Sequence, residues 1–335
     1  MTLADLSHLS VAVTGASGFV GGWAVSELAR RGARVIACIR SAPGVQQDVP
    51  GVTMRASGDV ADPSGWKGAF AGCDAVLHLA GRAHVMHDEP AQALAMHRAV
   101  NLEGTRNVAA AAARSGVRRL VFLSSIGVLG QRSERGAPLR ASDDPRPRSP
   151  YARSKLEAEI FVHDFGRREG LEVTCVRPPM VYGPGAPGNL RSLTQAVRRR
   201  MPLPFGAIDN RRAFVAATHL ADLLATCVHC PGANGRSLNV SDGNDISTTA
   251  FIRELRDATD GRAPLLPFPP ALLRTALGVA GRGHLAASLL DDLEIDISDT
   301  VAATGWTPKT SIRAAMGAMY RGETTLHAPR SGYDR

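Results

Sequence analysis

Short apolar runs alternate with longer helical patterns through the first half of the chain. Runs rich in β-branched residues fall at Ser10–Thr14 (SVAVT), Arg34–Ile39 (RVIACI), Val52–Ala56, 75–79 (AVLHL), 120–124 (LVFLS) and 172–176 (EVTCV). Between them lie stretches of helical periodicity, such as 20–31 and the alanine-rich 91–114. Strands apolar on both faces and separated by helices belong to a parallel sheet covered on both sides. The expectation is an α/β fold: a Rossmann-type doubly wound parallel sheet with right-handed crossovers.

From about residue 183 the pattern changes. Gly and Pro cluster in GPGAPGN and again in RRRMPLPFG, and strict alternation stops. The later helical patterns (190–200, 218–229, 248–259, 270–281 and 311–320) predict a smaller, mainly helical lobe beside the sheet. The expected organisation is a dinucleotide-binding domain over 1–182 and a substrate lobe over 183–320 with segments returning to the sheet. A loose polar tail is expected over 321–335.

Composition adjusts this picture in three places. The N-terminus lacks a basic and an apolar signal region, and no apolar run reaches the roughly 18 residues of a membrane span, so a cytoplasmic protein with no transmembrane segment is expected. The five cysteines are odd in number and lack framework spacing, and the lone Cys227-Val-His-Cys230 pair falls in an apolar stretch. They read as reduced core thiols, with no metal site. The formal charge of +8 raises the question of nucleic acid, but the arginines are scattered and aromatics make up only 5%. Stacking platforms need more, so no nucleic-acid partner is expected. A basic chain also suits an anionic nucleotide ligand.

The first strand runs directly into Thr14-Gly15-Ala16-Ser17-Gly18-Phe19-Val20-Gly21 and then a helix. In a GxxGxxG loop, Gly15 permits the tight turn, Gly18 lets backbone N–H groups reach a pyrophosphate, and Gly21 lets the helix lie close to the sheet. The helix N-terminus then faces the diphosphate, with Phe19 and Val20 in its first turn. Three glycines alone are a weak signal; at the start of the first βαβ unit they point to a dinucleotide. The second strand ends Cys38-Ile39-Arg40-Ser41, with no carboxylate for a ribose 2′-hydroxyl. Arg40 therefore favours NADP(H) over NAD(H).

The fifth strand ends in Ser124-Ser125, and Tyr151 and Lys155 follow in Pro150-Tyr151-Ala152-Arg153-Ser154-Lys155. Residues four apart share a helix face. A lysine ammonium beside a phenol is expected to lower the phenol pKa toward working pH, so that it exchanges the proton of a carbinol while hydride moves. A serine at the strand end can hold the substrate oxygen. Ser125, Tyr151 and Lys155 are the expected catalytic set.

With these motifs the chain resembles the extended short-chain dehydrogenase/reductases, and within them the nucleotide-sugar (UDP-hexose) epimerase/4-reductase group. The resemblance covers about residues 10–315. Its marks are TGASGFVG, Gly58-Asp59-Val60, His78-Leu79-Ala80-Gly81, Asn101, FLSS, YARSK and Arg177-Pro178-Pro179-Met180-Val181-Tyr182-Gly183. It implies that Asp59 and Val60 contact adenine and that Leu79, Ala80 and Gly81 line the ribose and nicotinamide side. Pro178 joins the cofactor contacts, and Lys155 also holds the nicotinamide ribose. Arg212, in Arg212-Ala213-Phe214-Val215, is implied to contact the nucleotide of a sugar substrate, and Asn189 its diphosphate. The group also implies a homodimer through a four-helix interface, to which 91–114 and the Tyr151 helix would contribute.

The resemblance also narrows the reaction. Sugar 4,6-dehydratases carry an Asp-Glu pair directly after the strand-five Ser/Thr, where this chain has Ile126 and Gly127. Neither moves a proton, so a dehydratase is not expected. Two reactions at C4 of a UDP-hexose remain. Arg40 tips the balance to a UDP-4-keto-6-deoxy-N-acetylhexosamine 4-reductase of surface-polysaccharide synthesis, ahead of a UDP-glucose or UDP-N-acetylglucosamine 4-epimerase. A non-catalytic NAD(P)H-sensing protein is the distant alternative. Some positions depart from the group: Leu129 stands for a Tyr, Ala213 for an Asp, and Ala216 and His219 for the common His and Asp.

Overall fold

The computed structural model describes residues 4–41, 49–83, 90–281 and 283–323. Most of the expected tail (324–335) and the end of the HLAGRAHVMHDE motif (84–89) lie outside the described residues.

The main sheet is built from β1 (Ser10–Thr14), β2 (Arg34–Ile39), β3 (Val52–Ala56), β4 (Ala75–His78), β5 (Arg119–Leu123), β6 (Glu172–Arg177) and β9 (Ser237–Asn239). All pair in parallel, in the order β3-β2-β1-β4-β5-β6-β9. The order reverses direction at β1, and in open parallel sheets ligands bind outside the carboxyl strand ends at such a switch point. A second parallel pair joins β7 (Met180–Tyr182) to β8 (Phe214–Ala216).

Alternation along β1 shows why the sheet is covered on both sides. Val11 and Val13 face one apolar cluster, where α1 (Phe19–Arg30) places Ala24, Val25 and Leu28, and α6 (Ala217–Cys227) places Leu220, Leu223 and Leu224. Ala12 faces the other cluster, with Val108 and Ala112 of α3 (Gly104–Arg114) and Ala158 and Val162 of α4 (Pro150–Glu169). The doubly wound reading is therefore correct.

The expected single helix over 91–114 is three pieces: α2 (Pro90–Arg98), a π-helical turn (Ala99–Glu103) and α3. A wide turn of this kind re-aims a side chain, and here it carries the fully buried Asn101. Beyond β7, α5 (Gly188–Arg198), α7 (Thr248–Ala258) and α11 (Ile312–Tyr320) share a core with β7 and β8. Meanwhile α6 and β9 return to the main sheet. Two further helices, α8 (Pro270–Val279) and α9 (Gly283–Leu290), pack on each other through Leu273, Leu277, Ala286 and Leu290, and α10 (Ser298–Thr304) precedes α11. Among the described residues no helix is long and apolar enough to cross a membrane.

Candidate active site

The glycine loop leaves β1 with Gly15 at φ +68°, in the left-handed region. A Cβ on Gly15 would lie 2.7 Å from the backbone N of Ala80, so the loop and the end of β4 touch directly. Gly21 is more constrained still: a Cβ there would lie 2.0 Å from the carbonyl oxygen of Gly15. Helix α1 begins at N-cap Gly18 with no side-chain cap, so its first N–H groups have no side-chain acceptor. Such a glycine-lined helix start fits the pyrophosphate of a dinucleotide. The Phe19 ring packs over Gly183 and Gly185, bringing the start of the second half of the chain onto this loop. Val20 is half-buried against the same core as α1.

The other expected cofactor positions surround the same strand ends. Arg40 is exposed just past β2, and its carbonyl accepts the N–H of Gly58. The Asp59 carboxylate is exposed and accepts the N–H of Ala61 at 2.9 Å. Val60 packs on Gly104 at the start of α3, while Asn107 and Trp66 donate to its carbonyl. Leu79 and Ala80 are half-buried beside Gly15, and Gly81 is exposed. A Cβ on Gly81 would come within 3.1 Å of Asn101 Oδ1 and 3.2 Å of Lys155 Nζ. The carbonyl of buried Pro178 accepts the N–H of Ile126, tying the end of β6 to the turn after Ser125.

Helix α4 starts cleanly. Ser149 caps it by accepting the Ala152 N–H, and Pro150 occupies the first turn. That cap sets the direction of Tyr151 and Lys155. The Tyr151 hydroxyl lies beside Ser125, whose Oγ accepts the Gly127 N–H at 3.1 Å. Lys155 Nζ donates to the Leu123 carbonyl at 2.8 Å and lies 4.5 Å from the Phe122 ring centroid. Ser125, Tyr151 and Lys155 thus lie together at the end of β5.

The expected electrostatics needs correction. Burial of the Tyr151 hydroxyl pushes its pKa up to about 12, and only Ser125 beside it pulls the other way. Burial also lowers Lys155 to about 8, against the field of Glu159 one turn along. The ammonium is committed to the Leu123 carbonyl and the Phe122 face, and desolvation of the phenol outweighs any field it exerts on Tyr151.

Beneath these groups runs a buried polar chain that the motifs did not reveal. Thr14 Oγ1 bonds His78 Nδ1 at 2.7 Å, His78 Nε2 bonds Thr105 Oγ1 at 3.0 Å, and Thr105 donates to the Asn101 carbonyl. With Thr105 spent as a donor there, His78 Nε2 is the donor to it, and Nδ1 accepts from Thr14. Asn101 Nδ2 donates to Ser154 Oγ at 2.9 Å, and its Oδ1 accepts the Arg82 N–H at 2.8 Å. Glu159, four residues beyond Lys155, pairs with the buried Arg177 at 2.7 Å. Spacing along α4 could have revealed Glu159; nothing in the sequence pairs Thr14 with His78.

The two expected substrate positions have different surroundings. Asn189 is exposed in the first turn of α5, whose N-cap Pro187 offers no side-chain cap. Arg212 is buried, and its Nη1 donates to the carbonyls of Ala287 and Asp291. This bracing holds the end of α9 on the segment entering β8, and desolvation lowers its pKa to about 10. His219 bonds Asp242 at 2.7 Å, and that carboxylate also accepts Tyr182 Oη and the Ala216 N–H. Asp242 thus ties His219 of α6 to Tyr182 of β7 and to the N-terminal end of α6.

The sequence profile of the NAD dependent epimerase/dehydratase family matches residues 11–241. The chain belongs to this family. Like its relatives it is an enzyme of the extended short-chain dehydrogenase/reductase type. A UDP-glucose 4-epimerase of Vibrio cholerae is 36% identical to this chain over 306 residues, covering 91% of this chain and 92% of the relative. Among solved structures, a UDP-glucose 4-epimerase of Thermus thermophilus in complex with NAD has a TM-score of 0.74 at 25% identity, covering 94% of this chain and 100% of the other. A UDP-glucose 4-epimerase of Thermotoga maritima with UDP-glucose has a TM-score of 0.75 at 20% identity, covering 95% and 100%, and shares the fold.

Proposed function

We propose that this enzyme moves hydride at C4 of a UDP-hexose and works as a 4-epimerase. The observation that carries this reading is the convergence of Ser125, Tyr151 and Lys155 beside the glycine loop, in a chain alike over nine-tenths of its length to a UDP-glucose 4-epimerase.

A bound nicotinamide dinucleotide supplies the hydride acceptor and donor. Gly15, Gly18, Phe19, Val20 and Gly21 hold its pyrophosphate, and Asp59 and Val60 flank the adenine. Leu79, Ala80, Gly81 and Pro178 line the ribose and nicotinamide side. Ser125 donates a hydrogen bond to the C4 oxygen. Tyr151 would act in its phenolate form, which the positive charge of an oxidised nicotinamide beside the Lys155 ammonium would favour against the desolvation that raises its pKa here. It would take the hydroxyl proton as the C4–H bond breaks with its electron pair, leaving a 4-keto sugar, and would return the proton once the ring is reduced on its other face. Lys155, protonated below about 8, holds the nicotinamide ribose and the positive field at this end of β5. Ile126 is apolar and Gly127 has no side chain, so no acid follows Ser125 to expel a C6 hydroxyl. Asn189 serves the diphosphate, and Arg212 acts through the bracing of the 287–291 turn.

Arg40 favours a second reading, in which NADPH delivers hydride once to a UDP-4-keto-6-deoxy sugar. The two readings separate in one assay, incubation with UDP-glucose and with the keto-sugar. Interconversion of C4 epimers without net cofactor consumption is the expected result. Stoichiometric NADPH consumption with the keto-sugar alone would establish the reductase instead. Met96 on α2 and Ile160 on α4 are both exposed and lie on the helices of the expected four-helix homodimer face; a monomeric mass in solution would contradict that assembly.

A further inference from the structure

Large exposed apolar side chains among the described residues fall in two groups. Met96 and Ile160 lie on α2 and α4, whereas Met201, Leu266, Phe268, Leu272 and Val279 lie in the second half of the chain. The second group is one continuous piece of structure. Leu203 bridges to Leu265, its N–H bonds the Pro264 carbonyl, and Leu266 bonds back to Leu203. Helix α8 follows at once and turns Leu273 and Leu277 inward, leaving Leu272 57% and Val279 87% exposed on its outer side.

The charge around this face is mainly positive, with Arg274 of α8 paired to Asp291 at 2.6 Å. Residues 261–290 contain no Asp or Glu. The exposed end of α5 carries Arg198, Arg199 and Arg200 and abuts this segment, for a Cβ on Gly261 would lie 2.6 Å from Val197 Cγ1. Arg199, Arg200 and Arg262 make no ion pair among the described residues. Of the acids that flank the segment, Asp260 lies near Arg321 and Asp291 is paired with Arg274.

The backbone is also suited to an apolar medium. Pro264, Pro267, Pro269 and Pro270 have no N–H to leave unpaired. The N–H groups of Leu266 and Phe268 already bond the carbonyls of Leu203 and Leu266. A partner strand would need those donors free; a lipid surface needs them satisfied.

We propose that this face docks on an anionic lipid bilayer. Leu266, Phe268, Leu272 and Val279 enter the boundary between headgroups and acyl chains, and Arg199, Arg200 and Arg262 meet acidic headgroups. The enzyme then works at the membrane surface.

Flotation of the full-length enzyme tests this, with vesicles of phosphatidylcholine alone and of phosphatidylcholine mixed with phosphatidylglycerol. Binding is expected only to the mixed vesicles and should weaken as salt is raised. The double substitution Phe268→Ser/Leu272→Gln should lower partitioning about a hundredfold, and Arg199→Glu/Arg262→Glu about tenfold or more. Both variants should keep the native thermal midpoint. Absence of flotation, or equal flotation of the native protein and both variants, would overturn the proposal. So would a native assembly that Phe268→Ser/Leu272→Gln dissociates with no vesicle binding, because the face would then belong to a second copy of the chain.

Discussion

Asn101 Nδ2 donates to Ser154 Oγ at 2.9 Å, fastening the π-helical turn before α3 to the helix that carries Tyr151 and Lys155. The same side chain accepts the Arg82 N–H, so one amide joins the end of β4, the π turn and α4.

Replacing Asn101 by Leu should therefore cost both stability and activity. Buried Ser154 Oγ and the half-buried Arg82 N–H lose a hydrogen bond, at roughly 1–3 kcal/mol each. Thermal unfolding should show a clearly lower midpoint, and kcat should fall more than dinucleotide affinity, because α4 loses its anchor while the glycine loop is untouched. An unchanged midpoint and unchanged kcat would show that the amide is dispensable.

The glycine loop predicts a contrast between two small substitutions. At Gly21 a Cβ meets the Gly15 carbonyl at 2.0 Å, and the backbone must move. At Gly18 the nearest atom is 3.2 Å away. Gly21→Ala should destabilise the fold by about 1–3 kcal/mol or more, whereas Gly18→Ala should weaken dinucleotide binding with little loss of midpoint. Equal midpoints for the two variants would contradict the packing role of Gly21.

His78 sets an acid limit on stability. Burial, with Lys155 adding to it, holds its pKa down at about 3, against an ordinary 6.5. Between those values the unfolded chain binds a proton that the folded chain refuses, so lower pH favours unfolding. This contribution is fully present above 6.5 and is lost on the way down to about 3, at about 1.4 kcal/mol per pH unit. Denaturant titrations of the native protein and His78→Gln, from neutral pH downward, should show a steeper fall for the native protein. Parallel curves would mean that His78 carries a proton in the fold.

Arg40→Ala should weaken NADPH more than NADH, because only the former offers a 2′-phosphate. Isothermal titration of both cofactors measures this directly. Equal loss would remove the argument for NADP(H).

Much of the fold was legible because its signals are local. Six strands announce themselves as β-branched runs, and the glycine loop sits where β1 meets α1. The proposed catalytic pair could be picked out from local spacing too, since Tyr151 and Lys155 share one helical face. What stayed hidden depends on long-range packing. The three-residue strands β7, β8 and β9 are too short to show a period, and the break at Ala99–Glu103 lies inside an apparently continuous helix. The burial that raises Tyr151 and the carbonyls that capture Arg212 come from segments distant in sequence.

The central claim, that Tyr151 exchanges the C4 hydroxyl proton of a UDP-hexose while hydride passes to a bound nicotinamide, is tested most directly by one measurement. Native enzyme and Tyr151→Phe, each loaded with dinucleotide, are mixed with UDP-glucose, and both nicotinamide reduction and C4 epimer formation are followed. Native enzyme should turn over, and Tyr151→Phe should be slower by roughly 10²- to 10⁴-fold at nearly unchanged cofactor affinity. Near-native turnover in Tyr151→Phe would contradict the account.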